Sequence, residues 1–126
     1  MSHVALATFV ALTMAAVPGT AAAQADHYAN SRKTEFHLSS PLTVGTATLP
    51  VGDYTFQCLR IDGADVLVVT TVADGKEVAR VPCTPEELME KPKESEMRTV
   101  PIANGGRALT AVRIRGDVIA HRVVSN

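Results

Sequence analysis

The sequence predicts an all-β fold: an antiparallel meander of seven or eight strands, closed as a small barrel or folded over as a sandwich. Three observations carry this expectation. Runs rich in Val, Thr and Ile recur from Phe36 onward, and such residues suit a pleated, half-buried surface. Turn signals separate the runs at Asp62-Gly63, Asp74-Gly75, Asn104-Gly105-Gly106 and Gly116-Asp117, supplying the positive φ angles that tight hairpins need. Only one segment carries a helix start signal.

Residues 1–25 contain no Lys, Arg, Asp or Glu and run apolar from Val4 to Val17. After Pro18-Gly19 come small residues, with A-x-A sites that place cleavage after Ala23 or Ala25. This is the layout of a secretory signal peptide, too short to remain as a spanning helix. Its one departure is an n-region without Lys or Arg, and an Ala-rich N-terminal helix of a cytosolic protein is the competing reading. The expected organisation is a signal peptide at 1–25, a flexible polar leader at 26–34 and a single β domain at 35–126. The product is expected to be exported, periplasmic or secreted, with no transmembrane segment once the signal is removed.

Strands are expected at 35–44, 46–49, 53–61, 64–72, 76–83, 97–103, 107–115 and 118–124. Thr84-Pro85-Glu86-Glu87 has the form of a capping box with Pro at the first helical position. It predicts a short helix at 85–91, ended by Pro92. A two-residue turn at Asp62-Gly63 sets Cys58 opposite Leu67, Phe56 opposite Val69 and Arg60 opposite Asp65. A bulged three-residue loop at Ala73-Asp74-Gly75 keeps Ala79 and Val81 on that same apolar face, whereas a two-residue loop would set Arg80 opposite Val69. A Gly116-Asp117 turn puts Val112, Ile114, Ile119, His121 and Val123 on one face, with Arg113, Arg115 and Arg122 on the other.

Twelve Lys and Arg balance thirteen Asp and Glu, so no basic excess is present to displace counterions from a nucleic acid. Tyr28, Phe36, Tyr54 and Phe56 are the only aromatic residues beyond the signal, and no Trp is present. Stacking platforms for glycans or single-stranded nucleic acid are therefore not expected.

Cys58 and Cys83 are the only cysteines. They are a candidate disulfide, which an oxidising compartment would permit. In the meander, however, they lie two strands apart, about 9.6 Å before any stagger, against the roughly 7 Å between Cα atoms that a bridge tolerates. The alternative is two buried thiols filling the core. His27, His37 and His121 share no ligand spacing, so no metal set is assigned, and His121 reads as a hydrogen-bonded histidine at the core edge. Arg113, Arg115 and Arg122 form a candidate anion-binding stripe, with a solvated face paired to nearby acids as the plainer reading. G-x-S-x-G, H-E-x-x-H and a phosphate-cradling Gly loop are all missing, and no cofactor is expected.

Val44-Gly45-Thr46-Ala47-Thr48-Leu49-Pro50-Val51-Gly52-Asp53-Tyr54 resembles a V-G-x-x-x-L-P-A-G-x-Y element of small exported bacterial β-rich proteins that have no assigned activity. Gly75-Lys76-Glu77-Val78-Ala79-Arg80-Val81-Pro82 is similar to a G-K-E-V-A-x-V-P element of the same group. Leu109-Thr110-Ala111-Val112-Arg113-Ile114-Arg115-Gly116 is similar to its L-T-E-I-R-F-G-G ending. Val51, Ala111 and both cysteines depart from the pattern. The resemblance implies export and a β fold, and no substrate, cofactor or catalytic residue. The expected role is a non-catalytic binding or structural module whose partner is an envelope component or protein. A small-ligand carrier with an apolar barrel interior is one alternative. A hydrolase or metal-dependent enzyme with an unrecognised site is another.

Overall fold

The computed structural model describes residues 31–124. The expected signal peptide and the leader as far as residue 30 lie outside the described residues. Among the described residues nine strands form one mixed, mostly antiparallel sheet: β1 Thr34–Leu38, β2 Leu42–Val44, β3 Ala47–Leu49, β4 Gly52–Ile61, β5 Ala64–Thr71, β6 Glu77–Glu87, β7 Glu96–Pro101, β8 Arg107–Arg113 and β9 Ile119–Val123.

Local turn chemistry sets the central hairpin as the sequence predicts. Asp62 and Gly63 take φ angles of 50° and 81°, both positive as a two-residue type I′ turn requires. Cys58 then faces Leu67, Phe56 faces Val69 and Arg60 faces Asp65, with the last pair joined at 3.0 Å. Between β5 and β6 the register shifts at Val69/Thr70 and leaves Ala79 opposite Val69. That is the bulged arrangement. In the last hairpin Val112 faces His121, also as the turn arithmetic requires.

The strand order β1-β4-β5-β6-β9-β8-β2-β3, with β7 on β8, corrects the meander. Non-sequential pairings join β1 to β4, β6 to β9 and, in parallel, β2 to β8. The expected first strand is broken by Ser39-Ser40-Pro41 into β1 and β2, which lie far apart in the sheet. The sheet also stays open and does not close into a barrel. It curls, so that the β2–β3 hairpin packs on β6.

The helix expected at 85–91 is not formed; the segment instead extends β6 as far as Glu87. Up to Pro82 this strand pairs with β5, and from Cys83 to Glu87 it pairs with β9. The two prolines fit this handover. The Val124 N–H donates to the Pro82 carbonyl (3.0 Å) and the Leu88 N–H to the Val118 carbonyl (2.7 Å). Alternation along an antiparallel ladder then assigns the β9 bonds to even-numbered residues. Pro85, opposite His121, falls between them and forfeits no ladder bond. Long-range pairing thus outweighs a capping box worth about 1 kcal/mol.

The inward faces of both halves of the sheet meet in one core. Phe56 and Val69 are 0 % exposed and Val44 1 %, with Phe36 set edge-on to Phe56 at 5.3 Å. Gly45, in the β2–β3 turn, has a φ of 63°, and a Cβ built there would lie 3.2 Å from Cγ2 of buried Val81. Gly63 has a similar conformation with open space around it. Chemical denaturation is expected to show Gly63→Ala costing about 1 kcal/mol from backbone strain alone. Gly45→Ala should cost about 2–3 kcal/mol, since the hairpin must also lift off a stiff β-branched side chain. Equal losses would mean that the hairpin is not seated on β6.

Candidate functional site

One cluster of chemically reactive side chains sits inside the core. Cys58 on β4, Cys83 on β6 and His121 on β9 place their ligand atoms within 4.8 Å of one another. All three are buried, at 1 %, 6 % and 1 % exposure.

Strand parity explains the convergence. Cys58 faces Leu67, Leu67 faces Val81, and Cys83 is the next inward residue after Val81 along β6. Across the β6–β9 ladder Cys83 faces Val123 and Pro85 faces His121, so His121 lies diagonally from Cys83 on the same face. The curl of the sheet about β6 brings Cys58 from the other side. Ser31 fixes the backbone of Cys58 from outside. Its N–H donates to the Cys58 carbonyl, and its Oγ accepts from the Cys58 N–H, each at 2.9 Å.

Both ring nitrogens of His121 are buried without a well-formed hydrogen bond, and the polar neighbour the ring acts on is the Cys58 thiol. Both cysteines are free thiols. A bridge would require their sulfurs to close to about 2.0 Å. A hydrogen bond with the Cys83 thiol, together with burial, pushes the Cys58 thiol well above its ordinary range, and His121 pulls only partly against this.

Of the other candidate residues, Arg115, Arg122 and His37 are exposed and Arg113 is half-buried. Arg113 Nε is 3.9 Å from Glu96, and Arg122 lies opposite Ala111 on the neighbouring strand. Arg115 lies beyond the end of β8 in the turn, where its N–H donates to Ser95 Oγ at 2.9 Å. Its carbonyl accepts from Arg32. Arg113 and Arg122 are diagonal neighbours across β8 and β9, and Arg113 Nε is buried without a hydrogen bond, its nearest acid being Glu96. His37 pairs with Asp53 at 2.7 Å, both well exposed. Because β1 pairs with β4, His37 is held away from His121.

Comparison with protein-family models, curated proteins and solved structures finds no match.

The sequence placed Cys58 and His121 on inward faces and treated the cysteines as a pair. It took the three histidines as a separate set, and so missed a group made of two thiols and one imidazole. Ser31, assigned to the leader, was missed because nothing local marks its bonds to Cys58.

Folded Cys58 keeps its proton to higher pH than the unfolded chain does. Its contribution to stability is therefore complete below the ordinary thiol value of 9.0 and is lost as pH rises above it. In reduced, metal-free protein, denaturation midpoints should fall more steeply above that pH for the native sequence than for Cys58→Ala. Parallel curves would place the Cys58 thiol in a solvated setting.

Proposed function

We propose that this chain is a non-catalytic binding or structural module of an exported protein, acting through its surface at the cell envelope. The observation that carries the reading is the burial of Cys58, Cys83 and His121. These are the side chains best suited to nucleophilic or metal chemistry among the described residues, and a substrate arriving from solvent does not reach them.

The surroundings support the same reading. Depressions on the described surface lie between the Leu88–Glu94 segment and Arg113, beside Pro41 and the Asn104–Arg107 turn, and at His37 with Ser39 and Ser40. None holds a formed nucleophile–base pair: the His37 imidazole meets Asp53 at 2.7 Å and no serine hydroxyl among the described residues is bonded to it. A carrier would need an apolar hollow, whereas Phe56, Leu67 and Val69 fill the interior of the curled sheet. Export rests on the apolar 4–17 segment with its A-x-A sites, and on the resemblance to exported β-rich proteins.

Fractionation of the producing cells, followed by intact-mass analysis, tests the proposal. The expected outcome is recovery in the periplasmic or extracellular fraction with a mass beginning at Gln24 or Asp26. A full-length mass retained in the cytoplasm contradicts export. A turnover abolished by a point substitution that leaves stability unchanged contradicts the non-catalytic role.

A further inference from the structure

We propose that Cys58, Cys83 and His121 form a buried Cys2His site for one soft d10 cation, Zn2+ or Cu+. Two independent observations carry the site. The donor atoms of all three residues lie within 4.8 Å of one another, and bonds of about 2.0–2.3 Å to a shared ion place such atoms roughly 3.3–4 Å apart. Separately, His121 is 1 % exposed and neither of its ring nitrogens has a well-formed hydrogen bond. A buried imidazole in that state is costly, and coordination would satisfy one of its two nitrogens.

The donor set selects the class of ion. Two sulfurs and one imidazole nitrogen suit thiophilic cations, and no carboxylate joins the group, which disfavours Mg2+ and Ca2+. On binding, each thiol ionises to thiolate and its proton passes to solvent. Zn2+ with two thiolates is neutral, which favours it in a buried site, yet it is one donor short of tetrahedral. Cu+ is satisfied by three donors but leaves one net negative charge. The donors come from β4, β6 and β9, so the ion ties the β4–β5 side of the sheet to the β9 side. With the residues sealed from solvent, its role is structural, consistent with a module that does no chemistry.

The test uses the exported, full-domain protein, reduced without oxygen and stripped by a chelator, then titrated separately with Zn2+ and with Cu+ against chromogenic competitors. One equivalent per chain is expected, with both thiols shielded from alkylation. The thermal midpoint should rise by roughly 10 °C or more at a hundredfold excess over Kd. Tighter Zn2+ binding means that charge balance decides; tighter Cu+ binding means that donor number does. His121→Gln and Cys83→Ser should each weaken binding by more than the roughly 10–100-fold typical of an outer-shell change, while His37→Gln leaves it unaltered. If the site variants fail to fold, X-ray absorption of the loaded native protein decides, with a shell of two sulfurs and one nitrogen expected. The proposal is overturned by an oxygen-and-nitrogen-only shell, by uptake indifferent to both site substitutions, or by no stoichiometric uptake with both thiols reduced. Isolation as a Cys58–Cys83 disulfide that takes up no metal after reduction overturns it equally.

Discussion

Strand β6 is the constraint on which the rest of the structure depends. Its first part satisfies its backbone against β5 and its last part against β9, so one continuous strand belongs to two differently directed parts of the sheet. Strand β8 repeats the device more weakly, with β2 near its start and β9 near its end. These shared strands make the sheet curl, and the curl turns its inward faces onto a single core. Without it, Phe56 and Leu67 would face solvent on one side and Val112 and Ile114 on another. The fold has few aromatics to bury, so its stability rests on this enclosure of Val, Leu and Ile.

What the sequence made legible follows from how local the physics was. Asp62-Gly63 dictates its hairpin register because positive φ at two adjacent positions leaves few alternatives, and the pairs from Cys58 to Val69 follow. The bulge near Val69 was legible because a two-residue loop would turn Arg80 toward the core position opposite Val69. The crossovers were not legible, since pairing β1 with β4 or β2 with β8 leaves no local mark. Thr84-Pro85-Glu86-Glu87 was misread for the same reason. Its capping box is real as a sequence pattern, but β9 offers a ladder in which Pro85 loses nothing.

The candidate site was half legible. Parity placed Cys58 and His121 inward, and it made the two cysteines neighbours but for one intervening strand. The flat-sheet spacing of about 9.6 Å described their backbones and missed the curl, which lets side chains on a concave face approach far more closely than their Cα atoms do. It also hid the histidine, which arrives from a strand that the meander kept apart. The resulting chemistry is unusual for a core: two thiols and an imidazole without a well-formed hydrogen bond to its ring nitrogens, in an otherwise largely apolar interior. Filling the space alone would favour an apolar residue at position 121, because a buried polar group must find a partner to justify its desolvation.

The central claim is that the curl about β6 brings side chains from β4, β6 and β9 to one point. Proton–proton NOEs from the His121 ring in the reduced protein test it most directly. The account predicts cross-peaks from the ring protons to the β-protons of both Cys58 and Cys83. Cross-peaks to neither cysteine, with contacts instead to an outward residue of a neighbouring strand such as Thr84, would contradict it.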